Sequence, residues 1–317
     1  MDDFEGDIHP GDVIILNDAY RGGTHLNDVT LLYPIFCDGE LFIFPAVRAH
    51  WADVGGMTPG SYSGRATTIY QEGVRIPPIK LYERGKPSTG VMRLLFSNMR
   101  LPDERDGDLN ASLGACRVAE QRIRKLIEKF GKQCVVSAIN ENLSRSERRI
   151  RDRIRVLPDG EYCYEDYLEY YDGEFLDPVL MRLRLIINGD QVIADFEGSS
   201  DQVPGVVNSS LAVAGAGVFV AVKSTLDPSG PVNSGAFRAI TLKAPSGSIV
   251  DVKYDAPAGA HGEVRKRVVS VMLGALSQAI PESVSGDLSG ASFPNSCLLY
   301  TSPSPRDGLL SRMPSSA

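Results

Sequence analysis

The chain has 317 residues, 43% of them hydrophobic, enough to bury a sizeable core as one large or two ordinary domains. A formal charge of −7 argues against general nucleic-acid binding, and no run of about 18 apolar residues exists to form a membrane-spanning helix. Five cysteines (Cys37, Cys116, Cys134, Cys163 and Cys297) include no CxxC pair. That pattern suits reduced thiols in a cytoplasm better than a disulfide framework or a zinc knuckle, and the acidic N-terminus lacks the apolar stretch of a secretory signal.

Residues 12–16 (DVIIL) read as a strand delivering a loop that begins at Asn17 and Asp18. Residues 29–36 (VTLLYPIF) and 41–47 (LFIFPAV) are short, apolar and rich in β-branched and aromatic residues, as strands are. Asp38-Gly39 between them is a strong hairpin signal. With those two residues as the loop, Cys37 pairs with Glu40, Asp28 lies opposite Ala49, and Asn27 lies opposite His50. Pro34 and Pro45 weaken the strands, and a bulge there shifts the pairing by one. Either way His25, Asp28, His50 and Asp53 gather at the open end of one hairpin. Two imidazoles with one or two carboxylates are the inventory of a divalent metal site with open positions. The plain alternative is a set of polar loop residues beside glycine-rich turns.

Residues 54–65 form a glycine-rich loop placed to act as a rim or lid over that site. Residues 67–70 suggest a short element before the extended Pro77-Pro78 segment. Glu72 and Arg75 read as a structural ion pair within reach of the site. Asp108 is the expected N-cap of a helix ending at Gly131, and a second helix is expected over about 135–156. Twelve Lys and Arg against five acidic residues between Arg117 and Arg155 make this the basic patch, read as a solvated face or a surface for another chain. Beyond Pro158 the chain turns β-rich. Strands are expected over 160–169, 179–187, 191–196 and 237–242, with an Asn188-Gly189 hairpin turn. The polar loop at 197–202 reads as a plain turn rather than a substrate contact. Residues 211–226 suit a buried helix packed closely through Gly215 and Gly217, and 262–280 an amphipathic helix.

The fold expected is α+β: antiparallel β-rich layers with an inserted helical hairpin and further packing helices. The division expected is a metal-site β-rich region (1–105), the helical hairpin (106–157), a second β/α region (158–290) and a non-native, disordered Ser/Pro-rich tail (291–317). No phosphate-cradling G-x-x-x-x-G-K-[ST] loop, kinase signature or G-x-S-x-G elbow occurs. The histidine-aspartate group is therefore the constellation that carries chemistry.

Residues 17–29 (NDAYRGGTHLNDV) and 48–56 (RAHWADVGG) resemble the signature of the hydantoinase B / 5-oxoprolinase family, which includes acetone carboxylase alpha-type subunits. The resemblance continues through 72–82 (EGVRIPPIKLY), Asn98-Met99-Arg100, 157–160 (LPDG) and 195–200 (DFEGSS). Ala19 and Asn27 stand where proline is usual, and Trp51 where a second histidine is usual. A longer stretch before the first motif is usual too. The resemblance implies a B-type subunit that works with a hydantoinase A-type, ATP-binding partner. ATP activates a small cyclic amide or carbonyl substrate there, and the ring is opened by water on the B-type side. The alternatives are a ketone carboxylase subunit or a non-catalytic partner subunit. His25, Asp28 and His50 match the positions that hold a divalent metal (Mn, Zn or Mg) in the carboxylase branch. Asp53 is added on geometry as a fourth ligand or proton carrier, and Asn17, Asp18 and Arg21 as support or substrate contacts.

Overall fold

Two sheets, each with its own helices and its own core, divide the chain between an N-terminal and a C-terminal lobe. The computed structural model describes residues 4–169, 178–284 and 286; the expected tail over 291–317 lies outside them. The first lobe holds β1 (Val13–Leu16), β2 (Asp28–Leu32), β3 (Ile35–Cys37), β4 (Glu40–Ile43), β5 (Ala46–His50), β6 (Ile79–Glu83) and β7 (Lys86–Pro87), then helix α1 (Thr89–Ser97). Five of these strands form an antiparallel sheet in the order β5-β2-β1-β6-β7, while β3 and β4 form a separate ribbon.

The Asp38-Gly39 turn behaves as its chemistry demands. Both residues have positive φ, and Cys37 pairs with Glu40. The register then slips between Ile35 and Phe36, so β2 and β5 pair with Asp28 opposite His50 and Val29 opposite Ala49. The unbulged pairing of Asp28 with Ala49 is corrected by this one-residue bulge, which falls next to Pro34 and Pro45. Neither proline can donate to a ladder. The break is spanned by the Tyr33 amide, which donates to the Pro45 carbonyl at 3.0 Å.

Helix α2 (Pro102–Phe130) starts at Pro102 rather than after Asp108. Proline suits the first helical position, and Asp103 and Glu104 complement the helix dipole there. Asp108 instead sits inside the helix, paired with Arg105 at 2.9 Å. Helix α3 (Lys132–Ile154) follows directly after Gly131, whose φ of 81° makes the corner. The pair ties the lobes together: Leu109 and Leu113 of α2 enter the first core, and Ile150 and Ile154 of α3 enter the second.

The second lobe comprises β8 (Gly160–Leu168), β9 (Val179–Asn188), β10 (Gln191–Asp195), α4 (Leu211–Leu226), β11 (Ile240–Lys243) and α5 (His261–Ala279). Its sheet order is β11-β10-β9-β8; the pairs are antiparallel except β10 with β11, which is parallel, so the layer is mixed. Asn188 pairs with Gln191, so the β9–β10 loop is Gly189-Asp190 rather than Asn-Gly. Val179, Met181, Leu183, Leu185 and Ile187 alternate inward on β9, as period two requires. The Ser199 and Ser200 hydroxyls are bound to the backbone of Arg182 and Leu180, a turn as expected. No described helix is long and apolar enough to cross a membrane.

Helices α4 and α5 pack through a glycine. A Cβ at Gly217 would lie 2.7 Å from Val268 Cγ1, closer than real side chains approach. Gly217→Ala is expected to lower unfolding stability by about 1–3 kcal/mol through overpacking, measured by urea titration.

Candidate metal centre

The loop between β1 and β2 is built on a buried asparagine. Asn17 Nδ2 donates to the Leu26 carbonyl (2.7 Å) and the Val74 carbonyl (3.0 Å), and its Oδ1 accepts from the Ile76 amide (2.6 Å). Asp18 caps the short 3-10 turn Ala19–Arg21 by accepting from the Tyr20 amide at 3.0 Å. Gly23 lets the chain fold back on itself, since a Cβ there would lie 2.6 Å from the carbonyl oxygens of Asn17 and Asp18. These constraints deliver His25 to the start of β2, three residues before Asp28.

Asp28 is the centre of the group. Its Oδ2 lies 3.0 Å from His25 Nδ1 and its Oδ1 lies 3.3 Å from His50 Nδ1. The Thr24 hydroxyl donates to Oδ2. One donor atom from each of His25, Asp28 and His50 lies within 4.8 Å of the others, and the His25 and His50 rings stack with centroids 5.0 Å apart. Burial opposes ionisation of Asp28, but the two imidazoles and the Thr24 hydroxyl outweigh it and hold its pKa well below the usual carboxylate range. The carboxylate is therefore charged at neutral pH. His25 is buried, and its Nδ1 approaches Asp28 without hydrogen-bond geometry and has no other partner among the described residues. A buried imidazole nitrogen left in that state, with a carboxylate and a second imidazole around it, is a donor set that fits a divalent ion. His50 is exposed, so the group opens to solvent on one side.

A third imidazole reaches the same place from the other lobe. His261 opens helix α5, and its ring centroid lies 4.3 Å from that of His25. Burial, reinforced by the neighbouring His25, pushes its pKa down to about 4. Its Nδ1 is buried with no hydrogen-bond partner among the described residues. The sequence offered one clue to it: His261 is one of only four histidines, and it follows the small-residue run Ala256-Pro257-Ala258-Gly259-Ala260 leading into a helix.

Asp53 is not brought into this group. Its Oδ1 accepts from the Gly55 amide (2.8 Å), and its Oδ2 accepts from the Gly60 amide (2.9 Å) and Arg100 Nη1 (2.8 Å). Arg100 also donates to the Gly56 carbonyl (2.7 Å) and the Thr58 carbonyl (3.0 Å), so the pair stitches loop 53–60 together. Arg100→Ala is expected to leave the His25, Asp28 and His50 group intact and to cost about 1–3 kcal/mol of stability in denaturant unfolding, because a buried carboxylate loses its cation. Asp18 is a loop cap, 3.8 Å from Arg75, and Arg21 lies exposed on the same turn outside the group. Arg75 thus faces Asp18 and lies over the Tyr254 ring rather than pairing with Glu72. Trp51 is buried in the first core, and its amide donates to the Asn27 carbonyl at 2.8 Å. Asn27 returns two bonds, to the carbonyls of Trp51 (2.9 Å) and Gly60 (3.2 Å), which seals the end of the β2–β5 pair.

The family model described as Hydantoinase B/oxoprolinase matches residues 1–306. The B-type chain of a putative D-/L-hydantoinase from Pseudomonas sp. (strain NS671) is 34% identical over 298 residues, covering 90% of this chain and 50% of that protein. The beta subunit of caprolactamase from Pseudomonas jessenii is 33% identical over 291 residues, covering 91% and 50%. The crystal structure of the ATP-dependent caprolactamase from Pseudomonas jessenii superposes with a TM-score of 0.84 at 32% identity, covering 89% of this chain and 49% of that one. A nucleotide-free acetone carboxylase structure shares the fold, with a TM-score of 0.76 at 20% identity, covering 89% and 39%. The chain spans about half the length of the curated relatives it matches. By sequence and by fold alike, the chain belongs to the hydantoinase B/oxoprolinase family.

Proposed function

We propose that this chain supplies the metal-bearing part of a B-type subunit in an ATP-dependent cyclic amidohydrolase. A lactam or hydantoin ring, activated by ATP on an A-type partner subunit, is opened at the His25–Asp28–His50 group. The reading rests chiefly on one observation: three donor atoms of the right chemistry lie within 4.8 Å of one another on the paired ends of two strands and the loop before them. Similarity to a caprolactamase chain and to an ATP-dependent caprolactamase supports cyclic-amide chemistry that uses ATP and more than one chain. A cytoplasmic setting agrees with the unpaired Cys37, Cys116, Cys134 and Cys163.

A divalent ion held there would polarise the ring carbonyl or acidify a bound water. Asp28 would contribute the negative charge, with Thr24 fixing its orientation. His25 is held by burial and by the neighbouring rings of His50 and His261. His50, on the exposed side, leaves room for substrate to approach. Asp18 and Asp53 act as supports of the flanking loops, and Arg21 as a contact for substrate.

The test is ring opening of hydantoin, caprolactam and 5-oxoproline by the full-length protein co-expressed with its A-type neighbour. Turnover is expected to require ATP, to stop on treatment with chelator, and to return on adding a divalent metal. Ring opening that is indifferent to chelation would remove the metal from the reading. ATP consumption seen only with bicarbonate and a ketone would replace hydrolysis by carboxylation.

A further inference from the structure

One buried carboxylate crosses between the lobes beside the candidate site. Glu72 follows the 3-10 turn Ile69–Gln71 and is 4% exposed. Its Oε1 accepts from the Gly259 amide at 2.6 Å and its Oε2 from the Ala258 amide at 3.1 Å. Those two amides belong to the turn just before Ala260, the N-cap of the 19-residue helix α5, and the aligned peptide dipoles of a helix favour negative charge near that end. Three more bonds hold the same loop from the first lobe. The Ile69 amide donates to Asp255 (2.9 Å), the Tyr62 hydroxyl to Gly259 (2.8 Å) and the Tyr20 hydroxyl to Ala256 (2.5 Å), each to a carbonyl oxygen. The fit is close, since a Cβ at Gly259 would lie 2.6 Å from Glu72 Oε1. Two residues past Gly259 stands His261, packed against His25, its buried Nδ1 without a hydrogen-bond partner among the described residues.

We propose that Glu72 is a positioning residue which, by binding the two amides that lead into α5, fixes His261 as a third imidazole wall of the site, in contact with substrate bound at His25, Asp28 and His50. This deepens the ring-opening reading and rests on it. The hydrogen bonds of Glu72 go to Ala258 and Gly259, not to the three candidate ligands. Its effect therefore passes through His261, and through the packing of His261 on His25.

The experiment loads the full-length protein, in complex with its A-type neighbour, with Co²⁺. Co²⁺ affinity, the visible ligand-field band and kcat are then compared in wild type, Glu72→Gln, His261→Ala and the double variant. Both single variants are expected to bind one Co²⁺ within about three-fold of wild-type affinity and to shift the band alike. Each is expected to lose about 100-fold in kcat, the scale of a reacting group displaced by about an ångström. The double variant is expected to show no larger band shift or loss than either single one, because both changes remove the same wall. An unchanged band and kcat in Glu72→Gln, or losses that multiply in the double variant, overturn the proposal. Gly259→Ala displaces the same loop with every site side chain intact; it is expected to reproduce the band shift, and serves should Glu72→Gln fail to fold. Wild-type protein that binds Co²⁺ but opens no cyclic amide refutes the functional reading alone, since the bands still decide whether Glu72 positions His261. Wild-type protein that binds no Co²⁺ refutes both.

Discussion

Asp28→Ala is expected to abolish turnover and to weaken divalent-metal affinity by at least about 100-fold, the upper range seen when only an outer partner of a ligand is lost. The reason is geometric. Asp28 pairs with both candidate imidazoles, at 3.0 and 3.3 Å, and it is the only carboxylate of the three. Asp28→Asn keeps the shape but removes the charge, and its amide would turn an N–H₂ toward one of the ligands. It is expected to behave like the alanine variant in metal titrations by calorimetry, not like wild type. Both variants should keep the fold, because Asp28 pairs with His50 at the end of the β2–β5 ladder and Val29 to Leu32 remain paired without it. A variant with wild-type metal affinity would take Asp28 out of the site.

A second large effect is expected in the pH dependence of stability. Burial pushes the Glu72 pKa up to about 7, against the pull of the Ala258 and Gly259 amides, from an ordinary value of 4.5. The folded state thus holds this proton more tightly than the unfolded chain does. Its stabilising contribution is complete below about pH 4.5 and is lost as pH rises through about 7. The full difference is on the order of 3 kcal/mol at about 1.4 kcal/mol per pKa unit. The neighbouring Tyr20 and Tyr62 hydroxyls have pKa values pushed further up, chiefly by burial and in part by the Glu72 charge, so they stay neutral across this window. Carboxylates with lowered pKa, such as Asp12 and Asp53, act in the opposite direction, but they are common to wild type and Glu72→Gln and cancel in the comparison. Urea unfolding at pH 5 and pH 8 should therefore show wild type losing stability relative to Glu72→Gln as pH rises. Curves that stay parallel would mean that Glu72 ionises normally in the fold.

Much of the site was legible because it is local. The Asp38-Gly39 turn, the apolar strands on either side and the histidines at their far ends are enough to place His25, Asp28 and His50 at one end of a folded-back segment. What the residues alone left open was the register, decided by where the two prolines break the ladder, and a one-residue slip put Asp28 rather than Asn27 across from His50. Asp53 shows the opposite limit. It follows β5 closely, but Arg100 and two loop amides claim its oxygens, and only tertiary structure decides that competition. His261 lies outside any local argument, arriving at the start of a helix of the second lobe through a loop held by Glu72. The parallel β10–β11 pair was hidden for the same reason, since helix α4 and a 3-10 turn intervene between those strands.

The most direct measurement is an anomalous-difference map from crystals of the full-length protein grown with manganese or zinc. One peak is expected within bonding distance of a ring nitrogen of His25, a ring nitrogen of His50 and an Asp28 carboxylate oxygen, with further positions left to solvent or substrate. A map with no peak among those three side chains, or with the ion held by other residues, would contradict the assignment.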